Sequence, residues 1–104
     1  SQAIAQAKQE ADIYMDLSEA YIQQRDFDSA LKTLDSAIEL APEDIRPLLA
    51  QANLLRNGKD YARAEVRLRK AAEIAPNDLN IRRQLGAVIA LNMVHSSQEA
   101  SSHI

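Results

Sequence analysis

Shifted by 34 residues, the chain lies on itself without a gap, residues 11–44 over residues 45–78. Asp26 falls on Asp60, Ala30 on Ala64, Leu34 on Leu68 and Ala37 on Ala71. Glu39 falls on Glu73, Ala41 on Ala75, Pro42 on Pro76 and Asp44 on Asp78. Phe27 pairs with Tyr61 and Leu40 with Ile74 in the same register. A fixed period of this length marks one supersecondary unit used repeatedly, each copy burying its apolar face on the next. The register continues into a third copy, through Leu17, Gln51 and Leu85, then Ser18, Ala52 and Gly86, then Tyr21, Leu55 and Ile89. Two full repeats and the first helix of a third are expected.

Each repeat reads as a helix hairpin. Tyr14, Leu17, Ser18 and Tyr21 recur at three-and-four spacing, which puts them on one helical face. The pattern breaks at Gln24-Arg25-Asp26 and resumes with Phe27, Ala30, Leu34, Ala37 and Ile38. Asp26 and Asp60 stand where a carboxylate can cap the second helix of each hairpin, and Asp44 and Asp78 where one can cap the next repeat. Asn57-Gly58 is expected to stop the third helix, because glycine tolerates a left-handed conformation. Pro42 and Pro76 close the repeats, since proline has no N–H to extend a helix. Pro47 falls in a first turn, where that loss costs little. Ala30 and Ala64 are read as crossing points against the small residues Ser18, Ala52 and Gly86, allowing axes about 8–10 Å apart. Tyr14, Leu17, Tyr21, Phe27, Leu34, Leu48, Leu55, Tyr61 and Leu68 are expected to fill the remaining volume.

This order of large, small, aromatic, alanine and proline at a 34-residue period resembles the tetratricopeptide-repeat (TPR) family. Its positions fall on Tyr14, Leu17, Ser18, Tyr21, Ala30, Leu34, Ala37 and Pro42, then on Leu48, Gln51, Ala52, Leu55, Ala64, Leu68, Ala71 and Pro76. Departures are mild: no tryptophan opens a repeat, Ser18 and Ala52 stand for glycine, and Gln51 stands for leucine. The resemblance implies an all-α, right-handed solenoid of antiparallel helix pairs over residues 1–92. Its parts would be an extended helix 2–24, repeats 11–44 and 45–78, and a capping helix 79–92. From Met93 the chain turns serine-rich, and 93–104 is expected to be a polar, disordered tail.

The resemblance also implies a function, protein binding without catalysis or cofactor. Groove positions carried over from the family are Asp12, Met15, Asp16, Glu19 and Ile22, then Arg46, Leu49, Ala50, Asn53 and Arg56, then Asn80, Arg83, Gln84 and Ala87. Such a groove is acidic at one end and basic at the other, fitting a peptide or helix of opposite charge order. Co-chaperones of the family that clamp a C-terminal carboxylate use lysine, asparagine and arginine at positions held here by Met15, Glu19, Ala50, Asn80 and Gln84. Carboxylate clamping is therefore disfavoured. The Leu-Ala-Pro-Glu-Asp and Ile-Ala-Pro-Asn-Asp junctions resemble TPR proteins of secretion, export and complex assembly. The pattern is cut at both ends, as in a piece of a longer array.

Charge bears on the choice of partner. Residues 1–44 carry ten acidic and three basic side chains, and residues 45–104 carry five and nine. That gradient favours oriented encounter with a partner or with another copy. A homo-oligomer through the apolar helix 79–92, or through the charge-complementary halves, is the alternative reading. RNA binding is a second alternative, because Arg63, Arg67 and Lys70 share a helix face near Arg56 and Arg69. The net charge of −3 and the few aromatics stand against it. With no cysteine there is neither disulfide nor thiolate metal site. Metal or acid–base chemistry is not expected, since His95 and His103, the only histidines, fall in the polar tail. Ser1-Gln2-Ala3-Ile4 lacks the basic-then-apolar order of a signal peptide, and no stretch is apolar enough to span a membrane. Cytoplasm and periplasm both suit the chain.

Overall fold

The computed structural model describes residues 2–102, with side chains as far as Glu99. Five helices follow one another: α1 Gln2–Gln23, α2 Phe27–Leu40, α3 Ile45–Asn57, α4 Tyr61–Ile74 and α5 Leu79–Ser102. Each helix packs on its neighbours in sequence, giving a slab with Cα extents of 56 × 34 × 17 Å. The all-α hairpin solenoid read from the repeat is the fold.

The two hairpin turns share one construction. Asp26 N–H donates to Tyr21 O at 2.9 Å and Arg25 N–H to Ile22 O at 2.9 Å. One period later, Asp60 N–H donates to Leu55 O at 2.8 Å and Lys59 N–H to Arg56 O at 2.9 Å. This is the Schellman pattern, which satisfies the last carbonyls of α1 and α3. The same aspartates then begin the next helices: Asp26 Oδ1 accepts from Ser29 N–H and Asp60 Oδ1 from Arg63 N–H, both at 3.2 Å. Asp44 caps α3 through Arg46 N–H at 3.0 Å, and Asp78 caps α5 through Asn80 and Ile81 N–H at 2.9 and 3.2 Å.

The expected role of Gly58 is corrected. Gly58 sits at φ −84°, and the left-handed residue is Lys59 at φ 64°, matched in the first hairpin by Arg25 at φ 62°. The glycine stands one residue too early for the position that would use its freedom.

Inside the hairpins, Ala30 and Ala64 are fully buried, the small residues Ser18 of α1 and Ala52 of α3 are buried too, and Ala52 shares a core cluster with Ala64. Ser18 keeps its hydroxyl satisfied by donating to Met15 O at 2.7 Å. Leu55, Leu68 and Val88 join Ala52 and Ala64 in one cluster, while Leu48, Ala71 and Ile81 form another. Gly86 departs from the expected pattern: a Cβ there would meet nothing within 4 Å. Its partner would be the second helix of a third hairpin, and α5 is the last described element.

Two large side chains expected in the core lie open. Leu17 is 43 % exposed, whereas its equivalent Gln51 is 1 % exposed and Leu85 half-buried. Ile13 shows the same contrast, at 66 % against 0 % for Ile81. In the later repeats this face rests on the second helix of the preceding hairpin, and no described helix precedes α1. Gln51 Nε2 donates across that junction to Leu31 O at 3.0 Å and to Asp35 Oδ1 at 2.7 Å. Phe27 is 47 % exposed while its equivalent Tyr61 is half-buried. The His95 ring covers Tyr61 edge to face, with centroids 5.6 Å apart.

That contact rests on a further correction. α5 does not give way to a disordered tail at Met93 but continues as helix through Ser102. α3 ends at Asn57, equivalent to Leu91, so it carries no residue equivalent to His95. Asn92 Nδ2 donates to Glu65 Oε1 at 3.4 Å, and His95 Nε2 lies 3.2 Å from Glu99 Oε1. Serines in these turns are compatible with a helix held by packing on its neighbour rather than by propensity. His103 and Ile104, within the expected tail, lie outside the described residues.

Candidate partner-binding groove

The first helices of the hairpins, α1, α3 and α5, carry the side chains assigned to the groove. On α1, Asp12, Met15 and Ile22 are half-buried, while Asp16 and Glu19 are exposed. On α3, Arg46 and Asn53 are exposed and Leu49, Ala50 and Arg56 half-buried. On α5, Asn80, Arg83 and Ala87 are exposed and Gln84 half-buried. Leu49 packs against both core clusters, so much of its apolar surface is used within the fold.

One polar network joins α1 to α3. Arg46 Nη2 reaches Asp12 Oδ1 and Asp44 Oδ2, each at 2.6 Å, and Nε donates to the two Asp44 oxygens at 2.9 and 3.1 Å. The paired oxygens of Asp44 match the planar fork of the guanidinium, a strong form of charge-assisted bond. Arg46 holds the Asp44 carboxyl below its ordinary range, chiefly by side-chain hydrogen bonding and against the opposing effect of burial. Asp44 and then Asp12 in turn raise the Arg46 guanidinium. Arg46 is thus engaged by two carboxylates within the protein. Arg56 donates to Asn53 Oδ1 at 2.9 Å.

The other charges of the groove are unspent. Asp16, Glu19 and Arg83 make no ion pair or side-chain hydrogen bond to any described residue. The carboxylates belong to α1 and the guanidinium to α5, so opposite signs occupy opposite ends of the helix row. By contrast, basic side chains of α4 pair locally: Arg63 with Asp60 at 3.4 Å, Arg69 with Glu65 at 2.9 Å and Lys70 with Glu73 at 3.8 Å.

Two hollows flank this surface. One, of about 430 Å³, is lined by the groove residues Ile22, Ala50 and Asn53 together with Phe27, Leu31 and Leu54. Phe27 had been assigned to the core and Leu54 to no site. The other, of about 640 Å³, lies between the first turns of α1 and the α2–α3 junction, against Ile4, Ala7, Lys8, Pro42 and Ile45. Helix 2–24 overrunning the repeat was the sequence signal for that hollow. Among the described residues no cluster of metal-binding side chains occurs, and no helix is long and apolar enough to cross a membrane.

A family model described as Tetratricopeptide repeat matches residues 1–54 of the chain. No curated protein matches the chain.

Proposed function

The chain belongs to the tetratricopeptide-repeat family, and on that premise we propose that it is a non-enzymatic scaffold gripping a peptide or helix of a partner protein across α1, α3 and α5. Protein binding is the family's common role, and the family is typically non-enzymatic. The observation that carries the groove reading is the segregation of unpaired charge, Asp16 and Glu19 on α1 against Arg83 on α5. A partner segment would lay basic residues along α1 and acidic residues toward α5. Met15, Ile22 and the hollow beside Phe27 would take its apolar side chains. Desolvated apolar anchors supply affinity in such an arrangement, while the charges set orientation and on-rate. The junctions resembling export and assembly proteins extend this reading to a place within a larger assembly.

The test is fluorescence anisotropy with two labelled peptides of equal composition, one running basic to acidic and the other in reverse. Preference for one order, lost in Glu19→Lys and in Arg83→Glu, is the expected result. Equal binding of both orders, or binding indifferent to both substitutions, would move the partner to another face.

A further inference from the structure

We propose that the hollow beside Phe27 is an anchor pocket for one aromatic side chain of the partner, a tyrosine. This deepens the groove reading and rests on it for the rest of the partner segment. Every residue lining the hollow lies between Ile22 and Asp60, so its walls are α1, α2, α3 and the turn into α4. Ile22, Phe27, Leu31 and Leu54 make the wall apolar, and its volume of about 430 Å³ is at the small end of binding pockets. Phe27, 47 % exposed, presents its ring there.

The chain itself shows what covers such a ring. One repeat later, Phe27, Leu31 and Gly58 correspond to Tyr61, Glu65 and Asn92. There the His95 ring stands edge to face on Tyr61, with centroids 5.6 Å apart and planes at 78°, and Asn92 Nδ2 donates to Glu65 Oε1 at 3.4 Å. At the first site neither contact can form. Leu31 has no acceptor, Gly58 has no side chain, and α3 stops at Asn57, short of a residue placed like His95. The backbone does not demand a glycine at 58. Its φ is −84°, and a Cβ would meet only the Leu54 and Leu55 carbonyl oxygens, at the ordinary distances of 3.6 and 3.7 Å. The second site is thus closed by an internal ring, and the first is left open for an external one.

The lining also selects the kind of ring. Asn53 Oδ1 accepts from Arg56, but Asn53 Nδ2 and the whole Asn57 side-chain amide have no partner among the described residues. Both asparagines line the hollow beside its apolar wall. A ring with a polar tip uses the two kinds of surface together, the edge-to-face contact with Phe27 and a hydrogen bond from its hydroxyl. His95 has the same division, one edge on Tyr61 and Nε2 3.2 Å from Glu99 Oε1.

The experiment is a titration of the isotopically labelled full chain with N-acetyl-tyrosine amide, followed by amide shifts in two-dimensional NMR. The phenylalanine and leucine analogues are run beside it. Saturable shifts centred on Ile22, Phe27, Leu31 and Leu54 are expected. Tyrosine amide should bind about two- to tenfold tighter than leucine amide, the range of an aromatic pair beyond its buried area. Phe27→Ala should remove that advantage. Asn53→Ala combined with Asn57→Ala, all exposed positions, should reduce tyrosine amide to the level of phenylalanine amide. Shifts absent from the hollow, equal for leucine amide, or unchanged in Phe27→Ala would overturn the proposal, and tyrosine and phenylalanine amides bound equally by the wild-type chain would overturn the choice of tyrosine. The charge-order peptides report on the groove separately. Order preference without a ring in the hollow leaves the groove and removes the anchor, and a ring bound without order preference does the reverse.

Discussion

Arg46 and Asp12 stand at the same position of successive repeats and join each other, Nη2 to Oδ1, at 2.6 Å. The period thus places opposite charges on adjacent first helices, and Asp44 holds the arginine in place from the other side. Both partners are about half exposed, so the bond contributes little stability alone. Asp12→Ala should cost about 0.2–1 kcal/mol in urea unfolding, with the difference shrinking as salt is raised. Asp44→Ala should cost more, about 0.5–2 kcal/mol, because it also removes the cap of α3.

Acid should act through the same carboxylate. Asp44 titrates below its ordinary range because Arg46 hydrogen-bonds the charged form. Its contribution to stability is therefore fully present above the unfolded carboxylate pKa of about 3.9 and is lost as pH falls through the lower folded value. Thermal melts from neutral pH downward should show a loss in this window. Asp44→Asn, which keeps a capping oxygen, should be less stable at neutral pH and show a shallower loss.

The left-handed residue at each hairpin turn has a side chain that prefers another conformation. Lys59→Gly should raise stability by about 1 kcal/mol, because the αL penalty of a Cβ exceeds the added freedom of glycine in the unfolded chain. Lys59→Val should lower it, since a β-branched residue resists positive φ. Denaturant midpoints with unchanged slopes would report both effects.

Small residues at equivalent positions should answer oppositely to enlargement. Gly86→Ala should stabilise α5 by about 0.5–1 kcal/mol, because the new methyl meets open space. Ala64→Leu should cost about 1–3 kcal/mol, because Ala64 is fully buried where α4 crosses α3. Thermal melts at low protein concentration separate the two.

What was legible in the sequence was local or periodic. Asp26, Asp44, Asp60 and Asp78 announce caps because a carboxylate needs only the next two or three N–H groups. Pro42 and Pro76 mark ends because proline's missing donor acts within one turn. Repeat register identified Ala30, Ala64, Ser18 and Ala52 as close-packed, since the same crossing recurs. The positive φ at Lys59 beside Gly58 was not legible, because composition names a turn without stating which residue carries its strain. Nor was the engagement of Arg46 by Asp12 and Asp44, which requires α1 and α3 to be set side by side.

The amino-acid order by itself determined the period, the helix boundaries set by caps and prolines, and which faces are apolar. Only the tertiary structure decided which of those faces are covered. Leu17 and Gln51 hold one repeat position, yet the leucine is open and the glutamine buried, because the preceding helix α2 packs on α3 and no described helix precedes α1. α5 likewise continues past Met93, where the contact of His95 with Tyr61 exists only once α4 lies beside it. Burial is a property of neighbours, and in a solenoid each repeat acquires its neighbours only by stacking.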